Sequence, residues 1–429
     1  MAESADQQQI EPSQDEASKA DGFWLFDGLE EEPYGVMPLH KLQAKGGPTS
    51  IKDLRRVASY NWNLRDQQEP SIVVPGSPRE FVFWVGGRLP PDRGVLVYDV
   101  NHLKVPTGPM DPLIQACRLA REQDLAAAAD ARRTLVRQPF DFRSVDVITD
   151  SINLQKLFAF CKNEGEGLFR IDAERVGKTV VLTRVEAADL MRIDYECFDQ
   201  AYKAQCSRAR HPLTEGPFYQ MSTYQFGDFK FLVRSEVDSA DFSKVGPAPA
   251  PPSAESNGSA TTTQKEKLDG CTSVSIYKHG NRKENELLPL GAMTAFPQSG
   301  GFPSFTWAQL FFSGLDQVTV GWYKPPNDFT RPASYSLQAA NKLSKTQPYI
   351  PLAKVYDCIS KVRNFLLKNQ ESLKVGLVWK GQAHLEIYEK TDSSSSGLSE
   401  EVREFLRKEV DKIDEAPEEE EKEAEGQEA

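Results

Sequence analysis

Apolar residues recur at two spacings along this chain, and the changes of spacing mark out its elements. Residues 229–238 alternate as a strand does. Phe229, Phe231, Val233 and Val237 are expected on one face and Arg234, Glu236 and Asp238 on the other. Residues 221–226 and a Gly227-Asp228 turn make this segment the second arm of a hairpin. Further strands are predicted at 71–78, 145–149, 168–174, 179–185, 272–278 and 317–323, with a terminal hairpin of 374–379 and 385–388. The other spacing is helical. Leu352, Val355, Ile359, Val362 and Leu366 fall on one stripe of 351–368, and Leu398, Val402, Phe405, Leu406, Val410 and Ile413 on one stripe of 398–414. Helices are also predicted at 51–61, 110–136, 151–161 with Ser151 as cap, 186–206, and 304–313 ending at Gly314.

Strands alternating with helices predict an α/β fold, a mixed sheet flanked by helices. The expected organisation is a disordered leader at 1–21, one α/β domain at 22–390 with a flexible insertion at 243–268, a Ser-rich hinge at 391–397, an amphipathic helix at 398–414 and a disordered acidic tail at 415–429. The insertion is rich in Pro, Ala, Ser and Thr and too poor in large apolar residues to bury a core.

Charge and cysteine use narrow the partners. The net charge of −12 owes much to the tail, where residues 415–428 hold eight glutamates and one lysine, so the body is only mildly acidic and a strongly basic nucleic-acid surface is not expected. The tail suits solubility or a basic partner such as a histone or ribosomal protein. Six scattered cysteines without a C-x-x-C pair read as reduced thiols rather than a zinc site. There is no run of eighteen apolar residues, and the leader is no signal peptide, so the expectation is a nuclear or cytoplasmic protein with no membrane partner. Phosphate-binding glycine loops are absent, and His40, His102, His211 and His384 have no Ser or Cys nucleophile motif nearby. The aspartate-rich helices of a prenyl diphosphate synthase are absent too.

Five segments carry a resemblance: Ser59 to Trp62 (SYNW), Ile72 to Pro78 (IVVPGSP), Phe142 to Asp150 (FRSVDVITD), the helix around Phe198-Asp199-Gln200-Ala201, and Val233 to Asp238 (VRSEVD). Together they resemble a large, poorly characterised fungal family, which in turn resembles the DXO-type decapping exonucleases with their PD-(D/E)XK nuclease fold. The resemblance covers roughly residues 55–330. Such nucleases place a helix acid, an E-x-D strand and an E-x-K strand around Mg²⁺, with the lysine steadying the attacking water or the phosphate.

Carried over residue by residue, the resemblance implies Glu236 and Asp238 as the E-x-D. It implies Asp199 or Glu196 as the helix acid, with Cys197 where the family glutamate is expected. Lys278 becomes the lysine of the second strand, where Ile276 replaces the glutamate, and Gln309 and Arg234 become supporting residues. Two of four ligand positions are thus degraded, although Glu284 or Glu286 is close enough in sequence to take one over.

Two functions stay open. One is a catalytically impaired nuclease-fold protein, a pseudoenzyme, that binds RNA or a protein. The other is an active Mg²⁺-dependent enzyme cutting phosphodiester or pyrophosphate bonds of RNA through Glu236, Asp238 and Lys278. Plainer accounts stand beside both. Glu236 and Asp238 would serve equally as surface partners of Arg234 and Lys230, the basic turn at 278–283 as a solvated loop, and Trp307, Phe311, Phe312 and Trp322 as core rather than base-stacking rings. The nuclease reading requires Lys278 to project from a strand next to the one bearing Glu236 and Asp238, into a shared hollow.

Overall fold

The alternating segment of the sequence lies near the middle of a ten-stranded mixed sheet. The computed structural model describes residues 23–411 except 66–68, 130–137, 164–167, 194–196, 243–270, 279–287, 291–303, 316, 325, 345–347 and 392–395. The leader, the insertion, the acidic tail and most of the basic turn therefore lie outside the described residues, as do Glu196, Glu284 and Glu286. In spatial order the strands of this sheet are β1 (Gly35–Pro38), β13 (His384–Glu389), β12 (Lys374–Trp379), β5 (Phe169–Val176), β6 (Thr179–Val185), β4 (Val147–Asp150), β8 (Phe229–Glu236), β7 (Phe218–Phe226), β2 (Lys52–Trp62) and β3 (Ile72–Val73). Most neighbours are antiparallel, but β4 runs parallel to both β6 and β8.

Helices cover both faces, and the alternation in β8 shows which residues meet which. Phe231 and Val233 join a core built with α2 (Ser151–Lys162), α4 (Ser304–Ser313) and α5 (Tyr349–Lys368), whose Leu352, Val355, Ile359, Val362 and Leu366 are all buried as their spacing predicts. Leu232 points the other way, into a core made with Val57, Tyr60 and Trp62 of β2, α1 (Asp111–Ala129) and α6 (Glu400–Val410). The expected α/β class is what the chain adopts.

Three expected elements differ. Residues 51–61 form β2 rather than a helix. Their Leu, Arg and Ala content suits a helix locally, but the segment pairs antiparallel with β7 from Asn61↔Phe218 to Lys52↔Gln225, and this long ladder outweighs a weak local preference. Residues 186–206 are not one helix. Leu190–Arg192 pairs with Val95–Val97 as a two-stranded ribbon, and among the described residues of this span only Asp199–Cys206 is helical, as α3. The strand expected at 71–78 shrinks to Ile72–Val73, since the prolines that follow cannot donate to a ladder. In addition, the N-cap residue of α2 is Asp150, one position before Ser151.

A second, nine-stranded sheet contains β9 (Ser239–Ala240), β10 (Cys271–Lys278) and β11 (Gln317–Lys324). β10 begins beside β9, with Ser239 opposite Thr272 and Ala240 opposite Cys271. The chain thus leaves the first sheet at Glu236 and enters the second at Ser239, so Glu236 and Asp238 straddle the seam between them.

Candidate functional site at the seam between the sheets

The helix facing this seam is α3, and its placement follows from two contacts. The Asp92 carboxylate accepts the backbone N–H groups of Gln200 and Ala201, both at 2.8 Å, which satisfies donors that a helix start leaves unpaired. One turn on, the buried ring of Tyr202 lies so close to Gly321 of β11 that a Cβ there would stand 2.1 Å from Cζ. Glycine at 321 is therefore what lets α3 sit down on the second sheet.

Asp199 and Lys203 are four residues apart on α3 and so share a face. The Lys203 ammonium lies 3.4 Å from Asp199 Oδ2 and 2.9 Å from Asp238 Oδ1 across the seam. Burial disfavours this ammonium, but the carboxylates of Asp199, Asp238 and Glu236 outweigh burial and hold its pKa well above the usual lysine range. Burial, with the nearby charge of Asp238, pushes Asp199 up to about 6 despite Lys203. Glu236 keeps contact with solvent at the end of β8, yet the surrounding protein and the Asp238 charge raise its pKa as well. Its Oε2 accepts a hydrogen bond from Tyr219 Oη at 3.4 Å.

Arg234 shares the Glu236 side of β8 but belongs to a buried structural network. Its guanidinium grips Asp150 at 2.5 and 2.9 Å, and also donates to Pro109 O at 2.8 Å and Tyr60 Oη at 3.2 Å. Tyr60 Oη and Trp62 Nε1 donate in turn to Asn101 Oδ1, at 2.6 and 3.0 Å. Asp99 accepts the N–H groups of Asn101 and His102 and lies 3.9 Å from Arg184. Arg184 and Lys156 converge on Glu186 at 2.5 and 2.7 Å, and although burial alone would raise Glu186, the two cations bring it down to about 2. The first two motifs also meet here: Gly76 packs against the Tyr60 backbone, and Asn61 Oδ1 accepts Ser77 N–H at 2.7 Å. These motifs build the frame behind the site.

The sequence-derived site residues divide accordingly. Glu236, Asp238 and Asp199 come together around Lys203, a residue outside every motif that carries the resemblance. The only signal for it was its i+4 spacing from Asp199. Neither Arg234 nor Lys230 is the partner of Asp238 that the plainer account supposed. Cys197 is buried, and burial pushes its thiol up to about 11. Gln309 is half-buried on α4, which packs on the face of β8 bearing Phe231 and Val233, the one away from Arg234. Trp307, Phe311 and Phe312 are buried in the same core, and Trp322 is partly buried against it. The backbone of Lys278 pairs with Leu288 and Tyr323, six residues past Thr272 and so about 20 Å along β10. Contrary to the expectation, its strand is not next to β8: β10 lies in the second sheet and meets β9, the segment that follows Asp238, only at Cys271 and Thr272, the end away from Lys278.

A family model described as a domain of unknown function, DUF8563, matches residues 41–277, more than half of the chain. The chain belongs to this family. No curated protein matches it. Among solved structures, it is similar to Scheffersomyces stipitis Rai1 (TM-score 0.54, 11% identity, 89% of this chain and 99% of that one). It is also similar to Candida albicans Rai1 in complex with pU5-Mn²⁺ (0.53, 11%, 88% and 99%) and to Schizosaccharomyces pombe Rai1 in complex with 3′-FADP (0.50, 10%, 83% and 99%). The fold is that of the DXO-type decapping exonucleases, and a likeness at this identity shows the fold alone.

The donor set can be tested against the divalent cation this fold implies. Among the described residues, no three His, Cys, Asp or Glu side chains stand together as ligands of one ion. Asp199 and Asp238, the best placed, are partnered by an ammonium. These residues do not fit a divalent metal.

Proposed function

We propose that this protein is a nuclease-scaffold RNA-binding protein that holds single-stranded RNA beside the seam of its two sheets without cutting it. The observation that carries the reading is the missing ligand set: the fold is that of an RNA-processing nuclease, yet the described residues at the seam offer no metal-ligand triad. Metal-assisted phosphoryl chemistry needs oxygen ligands open to the ion and to water. RNA as the ligand is supported by the pU5 bound to the similar Candida albicans Rai1.

The surface next to α3 supports the same ligand. Arg192 is exposed on the ribbon opposite Val95, and Arg93 is exposed two residues before Val95, next to Asp92, the residue capping α3. Exposed Val95, Val97 and Leu190 lie on the same ribbon. Guanidinium groups beside apolar side chains suit a phosphate chain with its bases turned to the protein.

The test is a pair of measurements on 5′-phosphorylated and capped oligouridine. Binding by fluorescence anisotropy is expected in EDTA, with affinity falling as salt rises and falling again in Arg93→Ala/Arg192→Ala. No cleavage is expected in Mg²⁺ or Mn²⁺. Cleavage that disappears in Glu236→Ala would instead establish the metal-dependent nuclease reading.

A further inference from the structure

The residues that the DXO-type resemblance assigns to metal binding are not idle here, because they already surround a cation. We propose that the ammonium of Lys203 does the work of the divalent ion: it is a counter-ion tethered to α3 that holds Asp199 and Asp238 together across the seam, so this cluster takes no exchangeable metal. The inference deepens the metal-free reading above and rests on it for the absence of catalysis, but not for RNA binding.

Three observations carry it. First, the position: Lys203 Nζ contacts one carboxylate from each side of the seam, at 3.4 and 2.9 Å, and the Glu236 carboxylate acts on it electrostatically. Second, the delivery: Asp92 at the start of α3 and Tyr202 against Gly321 fix the helix, so the ammonium arrives at the carboxylates as part of the fold. Third, the chemistry: lysine brings a compact charge with three donors on a flexible stem, enough to serve two carboxylates from one point. A dication entering the same space would have to displace this attached ammonium and then sit beside it.

The experiment uses the full chain and Mn²⁺ alone. Electron paramagnetic resonance of free Mn²⁺ is expected to show no binding by the wild type that Asp238→Asn removes. Lys203→Met is expected to lower Tm by at least about 2 °C, because two carboxylates lose their partner. Adding Asp238→Asn to that chain is expected to recover part of the loss, and Mn²⁺ is expected to raise the Tm of Lys203→Met more than that of the wild type. Asp238-dependent Mn²⁺ binding by the wild type would overturn the proposal, and so would an unchanged Tm in Lys203→Met. Should Lys203→Met give no folded protein, the wild-type titration decides alone. None of these readouts involves RNA, so failure of the RNA reading would leave them standing.

Discussion

Arg234 and Asp150 stand opposite each other on adjacent parallel strands, and the guanidinium meets the carboxylate through two hydrogen bonds of 2.5 and 2.9 Å. Arg234 is among the largest side chains with almost no solvent contact. Removing one partner of such a pair strands the other charge in the interior, which typically costs 3–5 kcal/mol. Asp150→Ala is therefore expected to lose about 3 kcal/mol or more in urea denaturation. A loss under about 1 kcal/mol would mean that the pair behaves as a surface ion pair.

Gly321→Ala tests how α3 is seated. A methyl group there would stand 2.1 Å from Tyr202 Cζ and 2.6 Å from its hydroxyl, and the ring has no free side to move toward, being buried among Trp84, Phe329 and Cys206. Overpacking of this kind costs about 1–3 kcal/mol. The expected result is a lower Tm, together with solvent entry around α3 seen as faster amide exchange at residues 200–206. Unchanged exchange there would refute the seating role.

Asp199 gives a pH dependence with a defined sign. Its carboxyl is pushed up to about 6 in the folded chain, above the ordinary 3.8, so between those values the native state holds a proton that the unfolded chain has released. Stability from this group is complete below 3.8 and is lost as pH rises through about 6. The difference in unfolding free energy between wild type and Asp199→Asn is expected to grow by up to about 3 kcal/mol on acidification from pH 7 to pH 4. A difference that stays flat or shrinks on acidification rules this out.

The C-terminal helix belongs to the body of the molecule. Leu406 is fully buried, Phe405 packs edge-on against Phe142, and Arg403 is bound by Glu174 of β5. Leu406→Ala is expected to cost about 2–5 kcal/mol and to make the chain cleavable within α6 under limited proteolysis. Cleavage at the wild-type rate would show that the helix does not depend on this contact.

How much of this could be read beforehand depended on whether the signal was local. The two faces of residues 229–238 followed from alternation alone, and the stripe from Leu352 to Leu366 fixed the buried side of α5. Residues 51–61 misled because their helix-like composition is local while their pairing with β7 is not. Glu236, Asp238 and Asp199 were legible through motif resemblance. Lys203 was not, because its partner Asp238 is 35 residues away and is reached only once the chain has passed through both arms of the β7–β8 hairpin. The hold of Arg234 on Asp150 spans 84 residues for the same reason.

The passage of the chain from one sheet to the other at residues 237–238 has a mechanical consequence. Glu236 rides on the first sheet, whereas Lys203 rides on a helix seated on the second. Any ligand that wedges the sheets apart stretches the carboxylate–ammonium spacing, and any that clamps them shortens it. The cluster is in effect a gauge of the distance between the two sheets.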